Sequence, residues 1–290
     1  MWLSRAATPP KPQTPRAAWV SSTLLHVGVE YRPAIAMSPD AEVCDHWPFT
    51  GSAGVADRFP VTDLQSTDER LPARDPKVQY EHIIWDWNGT LLDDLDVCVD
   101  VMNGLLTDRR LARIDVDRHR EVFDFPVETY YRALGFDFSE ESFGTVASDY
   151  CTRFDHRVAD CRLHDDVEAV LGKIAAANAR QSILSSCEQG SLIEAVRSFG
   201  LTGHFGAIVG QADQHARGKV AAGADLLARA AAPRQRTLLV GDTLHDYAVA
   251  KALGIDCILV SLGHHSTSRL TTECESVVES LADVIAHVGA

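Results

Sequence analysis

The sharpest chemical signal in the sequence is an aspartate that ends an apolar run, Ile83-Ile84-Trp85-Asp86, and is followed by Trp87-Asn88-Gly89-Thr90-Leu91-Leu92-Asp93. In an open parallel sheet, ligands bind beyond the carboxyl ends of the strands, where Asp86 would stand. A carboxylate there can attack phosphorus or bind a metal ion. Ser185 and Ser186 follow Ser182-Ile183-Leu184 and offer hydroxyl and backbone donors to phosphate oxygens. Leu239-Val240-Gly241-Asp242-Thr243-Leu244-His245-Asp246 delivers two carboxylates four residues apart, which a helix starting after Asp242 would bring to one face. Hard oxygen ligands of this kind suit Mg²⁺. Lys219, after Arg217-Gly218, supplies a point charge that would quench repulsion among the acids and an incoming phosphate.

Each residue also has a plainer reading. A strand-end Asp is commonly a turn or helix cap, a Ser after a strand commonly satisfies backbone donors, and a Lys at a helix start is commonly solvated. Gly218-Lys219 is not a phosphate-binding Walker loop, because seven residues separate Gly210 from Gly218 and Val220 follows. The order of the four segments along the chain is what raises the catalytic reading.

The elements needed to position these groups are legible as alternating apolar runs and helical patterns, which predict a parallel sheet covered by helices. Strands are expected at 82–87, 181–185, 207–209, 237–240 and 257–260, with a weaker sixth at 276–278; helices are expected at 166–177, 220–231 and 244–253. More than ninety residues separate the first two strands, far beyond an ordinary crossover. Helical segments at 96–106, 117–123, 127–134 and 139–158 predict a small helical domain inserted there. Residues 1–78 are rich in Pro, Ala, Ser and Thr without sustained periodicity and read as an extension lacking a fixed fold.

An Asp-x-x-Gly-Thr-Leu-x-Asp segment, a Ser after the second strand, a later Lys and a Gly-Asp-x-x-x-Asp together resemble the haloacid dehalogenase superfamily over about residues 80–290, nearest to phosphoglycolate phosphatase-like hydrolases. The resemblance implies an α/β fold, a Rossmann-like doubly wound parallel sheet core (79–95 and 164–290) with an inserted α-helical cap of the C1 type (96–163). It implies Mg²⁺-dependent phosphohydrolysis of a small phosphorylated metabolite through an aspartyl-phosphate on Asp86. Asp86, Asp242, the backbone carbonyl of Asn88 and, through water, Asp246 would hold Mg²⁺. Lys219, Ser185, Ser186, Gly89 and Thr90 would bind phosphate, and Asp93 would lie near the cap hinge. Phosphatases of the superfamily carry a second Asp where this chain has Asn88, and an amide cannot serve as general acid or base. His245, His156 or His164 could substitute, the substrate could carry a good leaving group, or turnover could be lost. Phosphotransfer through the same intermediate, or phosphate binding without turnover, are the alternatives.

The formal net charge is −14, with 19 basic and 32 acidic residues after position 78, so no nucleic-acid partner is expected. Seven cysteines without Cys-x-x-Cys spacing suit a reduced cytoplasmic setting. No apolar run is long enough to span a membrane, and the stretch 17–29 is too interrupted for a signal peptide. Adjacent His264 and His265 lack zinc-site spacing and read as a solvent-exposed loop at the mouth of the site. Tyr130, Tyr131 and Phe136 read as cap core, and Arg132, Arg153 and Arg157 as a solvated helix face.

Overall fold

The computed structural model describes residues 80–211 and 218–288. The extension expected over residues 1–78 lies outside the described residues. In chain order the strands are β1 (His82–Trp85), β2 (Leu92–Asp93), β3 (Arg162–Leu163), β4 (Arg180–Glu188), β5 (Ala207–Gln211), β6 (Thr237–Gly241), β7 (Asp256–Val260) and β8 (Val277–Val278). The helices are α1 (Leu95–Asp108), α2 (Val116–Val122), α3 (Val127–Ala133), α4 (Phe143–Asp155), α5 (Val167–Ala176), α6 (Gln189–Ser198), α7 (Gly218–Ala230), α8 (Leu244–Leu253), α9 (Thr267–Leu270) and α10 (Leu281–Val288).

Six parallel strands form one sheet in the order β5-β4-β1-β6-β7-β8, which makes β1 central between β4 and β6. Alternation along each strand divides the core in two. Ile83, Trp85, Ile183, Leu238, Val240 and Ile258 point into one apolar layer with α5, α6 and α10, while Ile84, Leu184, Leu239 and Leu259 join Leu226, Leu227, Val249 and Leu253 of α7 and α8 on the other face. All four residues of β1 are buried, because helices cover both faces and strands cover both edges. The expected Rossmann-like core is thus present, with all six anticipated strands in the sheet.

β2 and β3 pair antiparallel, Leu92 opposite Leu163, and form a narrow ribbon through which the chain leaves the core and returns. Arg162 reaches across it to Asp93 at 2.8 Å, which places Asp93 on this neck. Helices α1 to α4 lie between the two strands. Their inner faces, Val101, Met102, Leu105, Tyr130, Tyr131 and Val146, with Phe136 just after α3, are buried and continuous with the first core layer. Arg132, Arg153 and Arg157 pair with Glu128, Asp149 and Asp160 on the partly exposed side.

Several boundaries differ from the sequence expectation for local reasons. α4 begins at Phe143, not Ser139: Asp137 takes the Ser139 N–H and hydroxyl in a turn, and Ser142 accepts the Thr145 N–H as the helix cap. β4 runs past Ser185 to Glu188, whose carboxylate accepts the Gly190 and Ser191 N–H groups and so starts α6, a helix the sequence pattern does not predict.

Candidate active site

β1 ends at Trp85, and the chain turns at once: the Trp87 carbonyl accepts N–H bonds from Thr90, Leu91 and Leu92 at 2.9–3.3 Å. Gly89 has φ +71° in this turn, and a side chain there would overlap Asp242 and His264. Asp242 follows the end of β6 and is fully buried. It accepts the Thr90 hydroxyl at 3.1 Å and the His264 N–H at 2.7 Å. A side chain at Gly263 would also collide with Asp242, so glycines on two loops make room for one carboxylate.

Thr243 caps α8, and the Asp246 side chain accepts both its N–H (3.1 Å) and its hydroxyl (2.7 Å). The other Asp246 oxygen faces Lys219 Nζ at 2.5 Å, and Lys219 Nζ also donates to Asp86 Oδ1 at 2.6 Å. Lys219 lies in the first turn of α7 and is 5% exposed, so the solvated reading fails for it. Asp86, Asp242 and Asp246 each offer an oxygen, all within 4.8 Å of one another, an arrangement that could hold a metal ion.

The electrostatics agree with a site that carries surplus negative charge. Burial, with Asp246 and Asp242 adding to it and Lys219 opposing, pushes the Asp86 carboxyl up to about 7. Burial and then Asp246 raise Asp242 to about 6 against the pull of His264. Asp246 goes the other way: burial raises it, but Lys219 alongside holds it below the usual carboxylate range. Three carboxylates and one ammonium leave a surplus of negative charge, which a divalent cation with oxygen preference would offset.

Asn88 does not face this cluster with a free amide. Its Nδ2 donates to Asp94 Oδ2 at 2.7 Å, while Gly89 N–H donates to Asp94 Oδ1 at 2.9 Å. Ser185 is buried and its Oγ accepts the Cys187 N–H at 3.1 Å, while Ser186 is exposed, in a stretch where the pairing of β4 with β5 shifts register between Leu184 and Glu188. Of the histidines considered as replacement acids, His164 Nε2 meets the Gly89 carbonyl at 3.1 Å. His156 is exposed at the end of α4. His245 stacks on Phe125 of the helical insert, ring centroids 4.3 Å apart.

The 263–266 loop overturns its sequence reading. His264 and His265 are 5% and 0% exposed, not solvated, because the helical insert packs on them. His264 Nε2 lies 3.3 Å from Asp94 Oδ1 and its Nδ1 lies 3.0 Å from His119 Nε2 of α2. Burial works against charge on His264, but Asp94 beside it lifts the imidazole to about 9. Asp94 and His119 are members of this site that sequence reasoning passes over, and His264 is one that it places only in an exposed loop at the mouth. The only signal is compositional, a second acid after Asp93 and a histidine pair in a glycine loop.

The described cysteines are all free, and no helix among the described residues is long and apolar enough to cross a membrane.

Comparison with known proteins places this geometry. The chain is 27% identical over 214 residues to the protein named tyrosine-protein kinase PtkA of Mycobacterium tuberculosis, covering 73% of this chain and 72% of that one. The structure of M. tuberculosis PtkA superposes with a TM-score of 0.63 at 24% identity, covering 73% of this chain and 99% of the other. A predicted phosphoglycolate phosphatase from Haemophilus somnus superposes at 0.62 with 16% identity, covering 72% and 98%. The model of the haloacid dehalogenase-like hydrolase family matches residues 83–260, from β1 through the Asp242 and Asp246 segment to the end of β7. With the motif order, the doubly wound sheet and the buried carboxylate cluster all in place, the chain belongs to the haloacid dehalogenase-like hydrolase family.

Proposed function

We propose that the chain is a Mg²⁺-dependent phosphohydrolase that acts on a small phosphorylated metabolite through an aspartyl-phosphate on Asp86. The observation that carries the reading is the buried Lys219 ammonium held between Asp86 and Asp246, with Asp242 completing a three-carboxylate cluster at the strand ends. Lys219 occupies Asp86 Oδ1, which leaves Oδ2 as the attacking oxygen. As the Oδ2–P bond forms, the bond from phosphorus to the leaving oxygen breaks; water then cleaves the acyl phosphate, which releases phosphate and restores the carboxylate. Asp86, Asp242, the Asn88 carbonyl and, through water, Asp246 are the groups that would hold Mg²⁺, which when bound polarises the phosphoryl group and offsets its charge. Gly89, Thr90, Ser185 and Ser186 are the candidate phosphate contacts beside Lys219. Residues 96–163 act as a cap that excludes water and selects substrate over a core of 79–95 and 164–290.

Because the Asn88 amide bonds Asp94, no acid stands at the usual place to protonate the leaving oxygen. Substrates with good leaving groups, acyl or aryl phosphates, need that proton least. His245 beside the insert is the remaining local acid. A second reading, phosphotransfer to an acceptor hydroxyl through the same intermediate, is favoured by the name of the mycobacterial relative, a tyrosine-protein kinase.

The test is phosphate release from acyl, aryl, sugar and glycolate phosphates with and without Mg²⁺, run beside transfer to added hydroxyl acceptors. Asp86→Ala should reduce metal-dependent turnover by about 10³-fold or more. Asn88→Asp should raise turnover of alkyl phosphates more than of aryl phosphates. A parent protein that is inactive while Asn88→Asp turns over would leave a phosphate-binding protein in place of an enzyme. Transfer that exceeds hydrolysis would select the second reading.

A further inference from the structure

Two adjacent histidines join the helical insert to Asp242 and to the first residue of the helix that carries Asp246, each through a different atom. His264 donates its backbone N–H to Asp242 Oδ2 at 2.7 Å, while its ring Nδ1 meets His119 Nε2 of α2 at 3.0 Å. His119 Nδ1 in turn meets the Tyr130 hydroxyl of α3 at 2.8 Å. His265 Nδ1 accepts the N–H of Leu244, the first residue of α8, at 3.1 Å. That bond fixes the tautomer, so His265 Nε2 carries the hydrogen and donates to the Phe123 carbonyl at the end of α2 at 2.9 Å. One face of α2 is thereby wired to Asp242 through His264 and, through His265 and the start of α8, to the helix that carries Asp246.

The seam around these rings is doubly bolted. Arg120 of α2 donates to the Gly263 and Leu262 carbonyls at 2.9 Å, and Arg269 of α9 donates to the Phe123 carbonyl at 2.5 Å and pairs with Asp124 at 2.9 Å. Phe123 and Tyr130 pack on His119, with centroids 5.0 and 5.3 Å away. Burial keeps water from replacing the partners of His119, His264 and His265, so a change in how α2 docks must move the 263–266 loop.

We propose that α2 is a metal-positioning element: its docking on the His264-His265 pair sets Asp242 and the start of α8, and His119 is the positioning residue that transmits it. The proposal rests on the metal reading of the Asp86, Asp242 and Asp246 cluster. His119 touches neither substrate nor metal; it acts through His264. Coupling of this kind is reciprocal, so Mg²⁺ binding must also tighten α2.

Calorimetric titration of the full chain with MgCl₂ measures the coupling without turnover. Outer-shell partners of metal ligands typically alter metal affinity by about 10- to 100-fold, and a loss in that range is expected for His119→Phe, which keeps a ring but no nitrogen, with partial recovery in His119→Gln. Hydrogen exchange of the unaltered chain is the second arm, and it decides the matter if either variant fails to fold by circular dichroism. Mg²⁺ should slow exchange at the α2 amides of His119 and Phe123 as well as at His264 and Leu244. Unchanged affinity in a folded His119→Phe, or α2 exchange indifferent to Mg²⁺, overturns the proposal and leaves the metal site standing. An unaltered chain that binds no Mg²⁺ overturns the metal reading and the proposal together.

Discussion

At the strand ends Lys219 stands between Asp86 and Asp246 with Asp242 alongside, and every one of these charges is buried. Beyond His264, at the seam with α2, arginines and histidines meet mainly backbone carbonyls. In the first region each charge depends on its neighbours, since an ion out of water without its partner is costly. In the second the acceptors are mostly neutral dipoles, and losing one donor costs little more than an ordinary hydrogen bond. The cluster therefore carries surplus negative charge that a cation would relieve, whereas the seam is satisfied by protein groups alone. His264 belongs to both, with its N–H on Asp242 and its ring on His119.

Removing the lysine should make the contrast largest. Lys219→Met leaves Asp86 and Asp246 without their ammonium, and roughly 3–5 kcal/mol of stability should be lost in metal-free buffer, read from urea unfolding. A loss below about 1 kcal/mol would show that the cluster is not under tension.

The pH response comes next, and its sign follows from His264. Its imidazole is raised from 6.5 to about 9 in the folded chain, so its stabilisation is complete below 6.5 and is lost as pH rises through 9. Histidines held low, such as His265 at about 4, have finished titrating in both states above about 7 and do not reverse this. Metal-free protein should melt at a lower temperature at pH 9 than at pH 7. A melting temperature that holds or climbs over that interval would mean that His264 is neutral and that the two regions are electrically separate.

Arg269→Ala probes the seam alone and should have the smallest effect. It deletes donors to the Phe123 carbonyl and the bridge to Asp124, and about 1–2 kcal/mol should be lost in the same urea experiment. A loss equal to that of Lys219→Met would erase the distinction between the regions.

Much of this was legible before any coordinates. Ile83-Ile84-Trp85 is an apolar run too short for a helix, and Asp86 after it had to fall at a strand end. The spacing of Asp242 and Asp246 around a helix start was also readable, because Thr243 is a natural cap and α8 begins at Leu244. The commitment of Asn88 was not readable, since its partner Asp94 lies across a turn whose shape depends on Gly89 at positive φ. The His264-His265 loop reads as exposed from sequence because local polarity is the only cue a loop offers. What buries it is α2, some 140 residues earlier in the chain.

The sequence by itself determined the periodicities, hence the strands and helices of the core, and the order of acids and lysine along them, because those follow from short-range sterics and apolar spacing. Only the tertiary structure decided that Lys219 would be buried between two carboxylates, that Asn88 would bond Asp94, and that two histidines would tie the inserted helices to Asp242 and the start of α8. Those outcomes depend on desolvation and on partners distant in the chain, and burial is a property that no residue carries in its own neighbours.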